Sequence, residues 1–416
     1  TYNQTGPAYT KTLTINAASQ VNVPNSITMR YTGNVVGNWG GLKLVINTPQ
    51  NIIVTADILM NNPNGGGYGT ILTDGGSLTL NSTGGAVKVA KTINCSGTTN
   101  PANESLYSGA GGIITINGAA GVSISGTMIS TGRSNYAGNI FVSDGYATVT
   151  NAGQNDGISG VITGGAFKKT GVGILKLSGG NNAVISSEIA DGTLQLSGGT
   201  ALPDYNTLTF SGSNAVLDLN GVSESIGSIA SNSGYGKVTS SVAGNITLTL
   251  GLSNQNTVYT GLMEDGLGVL SLAKYGEYFS LGNSVNNTAN TYSGITTIYA
   301  GTLSIYNSRS LGSTSGGTVV RGTGKLALYN NINVGAEDLT LNLNGISLSN
   351  VSGDNTYGGA ISLGQNTTIN STAGTLTLTQ TMTGTNVSLA TTGAGAMTLS
   401  GTLTLGSGGI SNNMGV

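Results

Sequence analysis

The unit G-[ST]-L-x-[LI] occurs five times, at Gly76, Gly192, Gly301, Gly374 and Gly401. Short alternating runs fill the chain around it. They include TLTIN (12–16), LKLVIN (42–47), SLTLN (77–81), GIITIN (112–117), GVSIS (121–125), ILKLS (174–178), TLTF (207–210), VLDLN (216–220), NITLTL (245–250) and LTLNLN (339–344). Period-two alternation over so few residues, bounded by Gly, Asn, Ser or Asp, specifies strands with one buried face. No helical period is sustained. Many short strands fit antiparallel sandwiches or barrels, or a parallel solenoid. Recurrence of one unit selects the solenoid: each coil repeats the coil beneath it, with aliphatic columns inside and Thr, Ser and Asn rows outside. Stacked Asn amides are expected to hydrogen-bond along such rows. A step of about 4.8 Å per coil, with roughly 20–25 residues in each, gives a rod on the order of 80–100 Å.

The glycines require the same answer. There are 69 in 416 residues. Inside strands each would cost roughly 0.5–1 kcal/mol relative to Ala, in all several times a domain's net stability of about 5–15 kcal/mol. Most must therefore sit at corners. Charged residues are only 7% but hydrophobic ones reach 38%, with a net charge of −2, which is not the signature of disorder. Lys168-Lys169 is the nearest approach to a basic cluster, so no nucleic-acid partner is expected. No apolar run is long enough for a membrane-spanning helix. The chain opens at Thr1 without Met or a signal peptide and reads as a processed form or a portion of a longer protein. Low cysteine content suits bacterial export.

KTGVGILKLSGGNN (169–182) followed by ADGTLQLSGG (190–199), and AKYGEYFSLGNSVNNTANTYSGITTIYAGTLSI (273–305), resemble copies of the autotransporter-associated β-strand repeat, also called the passenger-associated transport repeat. LDLNGVSESIGSIAS (217–231) and NTYGGAISLGQNTTINSTAGTLTL (355–378) resemble sequence found between such copies. The resemblance covers about residues 156–405; residues 1–155 are similar in style to haemagglutinin-type β-helices, as in GIITINGAAGVSISGTMISTG (112–132). It implies a right-handed parallel β-helix with loop insertions, in two continuous parts (1–155 and 156–416), at the cell surface of a bacterium or outside it. It implies scaffold rather than catalysis. Three residues depart from the repeat pattern: Tyr275, Ile295 and Tyr299.

Chemistry-bearing residues are sparse. His is absent, which removes His-based triads and zinc sites. Cys95 is alone, so no intrachain disulfide forms, and it reads as a small buried residue. Glu264-Asp265, met by Glu277, would be the acid pair of a polysaccharide lyase or hydrolase; the competing reading makes EDG (264–266) a turn. The Asp-Gly steps at 144, 156, 191 and 265 also read as turns rather than calcium ligands. The sequons at Asn81, Asn245 and Asn366 are weak glycosylation signals in so Asn- and Thr-rich a chain. No enzyme activity, cofactor or metal is expected. Tyrosine is the abundant aromatic, with 17 against four Phe. Tyr68, Tyr107, Tyr136 and Tyr146 are candidate surface-contact loop residues, able to stack on sugars or anchor an interface. Tyr235 and Tyr357 lie in similar Gly/Asn-rich segments, where the alternative is loop packing.

Solenoid ends expose strand edges that template further pairing. The uncharged stretch 395–416 contains Leu403, Leu405 and Ile410, and AYTKTLTIN (8–16) contains Tyr9, Thr12, Leu13 and Ile15. These are the candidate self-association edges. The leading expectation is a structural subunit of an extracellular fibre or surface layer, a head-to-tail homopolymer. The alternative is a passenger-type adhesin that binds glycans or cell surfaces.

Overall fold

The computed structural model describes residues 11–29, 41–61, 75–97, 111–132, 146–151, 156–180, 182–231 and 233–414. Among them there is no helix: every regular element is a strand, and the strands stack in parallel as a β-solenoid. All ten alternating runs named above fall on strands, from Thr12–Asn16 to Leu339–Asn342. The chain forms two compact units, Thr1–Asn206 and Thr207–Val416.

Register in the first unit shows how alternation builds a core. Lys43–Thr48 buries every second residue. Leu44 stacks on Leu78 and Ile46 on Leu80, and Ile114 and Ile116 continue the two columns; all six side chains are fully buried. Outside, the expected amide ladder is present. Asn47 donates to Asn16 across 2.8 Å, 31 residues back, and Asn81 donates to Asn47 across 3.2 Å, 34 residues back. The sequon at Asn81 is thus part of the ladder. Coils here are longer than the expected 20–25 residues; further along, partners lie 19 to 22 residues apart. The Gly-, Asn- and Ser-rich stretches 61–69, 96–112 and 130–139 fall within these longer coils and lie mostly outside the described residues.

The corners explain the recurring glycine. Gly192, Gly301 and Gly374 have φ of 65°, 61° and 70°. A Cβ at each would fall on the backbone carbonyl of Gly171, of Gly276 and Glu277, or of Gly353, one coil below. At these three copies a left-handed corner sits directly on another corner; Gly76 and Gly401 are not left-handed. In the second unit, side chains also cap the next coil: Asn331 Oδ1 accepts the Asp354 N–H at 2.8 Å, and Asp354 Oδ1 accepts the Thr375 N–H at 2.8 Å.

Two expectations need correction. Asp156-Gly157 lies in the strand Asp156–Ile158 and Asp265-Gly266 ends the strand Leu262–Gly266, so neither is a free turn, although Gly266 is left-handed there; Gly192 is a left-handed corner residue, and the step at 144 is outside the described residues. Aliphatic residues also do not fill the core alone. Tyr259, Tyr292 and Tyr357 are fully buried. Tyr259 donates to the carbonyls of Gly236 and Leu262, each at 3.0 Å, and Tyr292 shares a 2.7 Å hydrogen bond with Thr296. The phenols of Tyr259 and Tyr292 are tolerated because their hydroxyls find such partners; the Tyr357 hydroxyl has none among the described residues.

Candidate functional site: edges, tyrosine columns and a buried carboxyl

The strand Thr12–Asn16 pairs on one side with Lys43–Thr48 and has no described strand on its other side. All five of its residues are exposed, with Leu13 at 49% and Ile15 at 37%. In the second unit Ile410–Met414 pairs with Leu389–Gly393 and is likewise an edge among the described residues. Ile410 is 62% exposed. Leu403, in Leu403–Thr404, is half-buried and Leu405 is buried. Of the loop candidates, Tyr68, Tyr107 and Tyr136, like Tyr9 at the edge, lie outside the described residues. Tyr146 opens the strand Tyr146–Asn151 and so is not a loop residue. Tyr235 is exposed and Tyr357 is in the core.

The acidic candidates stand in structural roles. Glu264 pairs with Lys237 at 3.1 Å. Asp265 Oδ1 accepts the backbone N–H groups of Leu270 and Ser293, each at 2.9 Å, and its Oδ2 accepts the Ser293 hydroxyl. That clamps the end of the strand Leu262–Gly266 to the next coil. Among the described residues no group of three or more His, Cys, Asp or Glu side chains gathers. Cys95 is fully buried, and burial raises its thiol to about 12, far from a reactive thiolate.

Three features were not read from the sequence. The first is a pair of tyrosine columns in the second unit. Tyr275 and Tyr299 stack with centroids 4.5 Å apart and planes 5° apart, and the Arg321 guanidinium covers the Tyr299 ring at 5.6 Å. Tyr306 and Tyr329 stack likewise at 4.5 Å and 12°. Two of the residues that depart from the repeat pattern are thus each other's ring partner. The signal was their spacing of one coil.

The second is a buried ammonium at each repeat copy. Lys169 and Lys274 are both fully buried. Lys169 Nζ donates to the carbonyls of Thr170, Gly171 and Asp191. Lys274 Nζ donates to those of Gly276, Glu277 and Ala300 at 2.9, 3.3 and 2.7 Å. Asn350 Nδ2 repeats the arrangement on Gly353 and Ala373. In every case the donor holds the carbonyl of its own left-handed Gly and the carbonyl just before the corner Gly of the next coil. Its neighbour Lys168 points outward, 2.9 Å from Glu188.

The third is Glu337, 2% exposed, beside a cavity of about 390 Å³ that Arg309, Ser313 and Asn333 also line. Burial raises its carboxyl to about 7, against the Thr318 hydroxyl that donates to it at 2.8 Å. A carboxyl whose folded value lies above its unfolded value of 4.5 favours folding below pH 4.5 and loses that contribution as pH rises through 7. Glu337→Gln keeps the Thr318 acceptor without the charge. We expect it to raise stability at pH 8 by about 1–3 kcal/mol, and to flatten the dependence between pH 4.5 and 7; denaturant titration at both ends checks this.

The fold defines the protein as a parallel β-solenoid. Over 191 residues, 42% of this chain, it is 30% identical to the adhesin BmaC autotransporter of Brucella suis biovar 1 (strain 1330), and the matched stretch is 5% of that protein's length. No family model matches the chain, so the specific repeat family has no such support. No solved structure matches at a significant level. Among the described residues no helix is long and apolar enough to cross a membrane.

Proposed function

We propose that this chain is part of a surface-displayed, non-enzymatic solenoid of adhesin type, holding its insertions out toward glycans or cell surfaces. The observation that carries the reading is the match to a protein named as an adhesin and autotransporter, on a chain built as stacked parallel coils. Glu264 and Asp265, which could have argued for catalysis, are engaged in a salt bridge and in backbone hydrogen bonds at a strand end, which supports a scaffold role. Antibody labelling of intact cells, with beads coated in the purified chain offered to cell layers, tests it. Labelling without permeabilisation and bead adhesion are expected; a chain found only in the soluble interior, or inert beads, would overturn it.

A second reading, end-to-end self-association into a fibre, draws on the exposed Leu13 and Ile15 at one edge and Ile410 at another. Open parallel edges with apolar side chains are competent to add a strand. Electron microscopy across a concentration series should show filaments that shorten when Leu13 and Ile410 become Lys. Single particles at every concentration would end this reading.

A further inference from the structure

Four tyrosines of the second unit stack in pairs, and a fifth, Tyr278, lies beside Tyr306 and Tyr329. Tyr275 lies in the corner after Val269–Lys274, and Tyr299 occupies the matching place one coil on, since Lys274 pairs with Ile298. Tyr306 and Tyr329 follow the paired residues Ile305 and Leu328. All four are half-buried, so ring edges and hydroxyls remain open to small solutes. Buried Tyr259 faces Phe210, and Tyr205 and Tyr235, at 52% and 38% exposure, have no stacked phenol among the described residues.

We propose that Tyr275–Tyr299 and Tyr306–Tyr329 are oxidative cross-linking sites, each joined carbon to carbon as dityrosine by a one-electron oxidant of the peroxidase and hydrogen peroxide class. Each phenol gives up one electron and its hydroxyl proton and becomes a neutral phenoxyl radical, with spin density on the Cε carbons beside the oxygen. Two radicals on adjacent rings form a Cε–Cε bond. Each ring then moves the hydrogen from its bonded Cε to its own oxygen, which restores both phenols. Per link, two electrons and two protons leave the protein, and one hydrogen peroxide becomes two waters. Stacking at one coil's spacing holds the two radicals together before either diffuses to another molecule. Arg321 over Tyr299 disfavours a radical cation there and so favours loss of the proton with the electron. The product ties one coil to the next, which restricts the unfolded chain as any cross-link does.

The test treats the dilute full chain with peroxidase and hydrogen peroxide, then reads dityrosine fluorescence and maps peptides by mass spectrometry. Expected are peptides joining Tyr275 to Tyr299 and Tyr306 to Tyr329, two hydrogens lighter, within the monomer, together with a higher thermal midpoint. Tyr299→Phe should abolish the first link and leave the second; Tyr329→Phe should do the reverse. Phe preserves the ring stack, and an unchanged midpoint before oxidation shows that the fold is kept. Links found only between molecules, or only at Tyr205, Tyr235 or Tyr278, would overturn the proposal. So would methionine sulfoxide without dityrosine, because it shows that the oxidant acted.

Discussion

Gly301→Ala is expected to destabilise the second unit by about 3 kcal/mol or more, while Gly234→Ala costs only about 1 kcal/mol. Both glycines are left-handed, with φ of 61° and 72°, so both replacements carry the strain of an L-residue there, roughly 1–2 kcal/mol. They differ in what a Cβ meets. At Gly234 nothing lies within 4 Å. At Gly301 the new carbon falls on the carbonyls of Gly276 and Glu277 in the coil below. The lower carbonyls cannot move freely. Glu277 accepts the Thr302 N–H at 2.7 Å and Gly276 accepts the Lys274 ammonium at 2.9 Å. The strain thus spreads into two coils. Equilibrium unfolding of the two variants side by side checks the difference. Equal losses would mean that corner stacking contributes nothing beyond φ.

That glycine shows what the sequence could and could not reveal. Its recurrence before Thr-Leu was visible, and so was the alternation that puts Leu303 and Ile305 inside, where both are fully buried. Period-two patterning is local, so all ten runs could be read as strands. The carbonyls of the coil below are not local; they depend on register across 20 to 35 residues. The same gap hides the lysines. Lys168 and Lys169 are adjacent and chemically identical, yet one pairs with Glu188 outside and the other is fully buried. Alternation alone sends one of them inward, and charge argues against it. Only the carbonyls of Gly171 and Asp191, supplied by two successive corners, resolve the conflict. Tyr357 was missed for the opposite reason: Gly and Asn around it indicated a loop, but its strand Asn355–Tyr357 stacks on Thr375–Leu378 and turns the ring inward. Coil length was also illegible in the N-terminal part, because insertions lengthen a coil without disturbing the strands that pair.

Lys274→Met should cost about 2–3 kcal/mol at pH 7, and the deficit should widen toward pH 10. Methionine fills the volume of the lysine stem but donates nothing. Glu277 O keeps its bond from Thr302, whereas Gly276 O, outside the strands, accepts from no other described donor. Replacing a whole buried ion pair with apolar residues is often harmless, but removing one side of a buried polar contact is not; here the carbonyls stay. Part of the loss is offset because the buried ammonium is itself poorly solvated. Burial lowers Lys274 from 10.5 to about 8. Between those values the unfolded chain holds a proton that the folded chain has released, so the lysine's contribution to stability rises with pH over that window. The neutral amine still has two hydrogens to donate, one of them to Gly276 O. Tyrosine ionisation acts in the other direction: burial raises Tyr259, Tyr292 and Tyr357, so above about pH 10 the unfolded chain releases phenolic protons that the fold retains, and stability falls. That loss is common to wild type and variant and cancels in their difference. Denaturant midpoints of both proteins at pH 7, 8.5 and 10 give the comparison. A deficit that shrinks with pH would show that the ammonium, rather than the amine, is what the two corners hold.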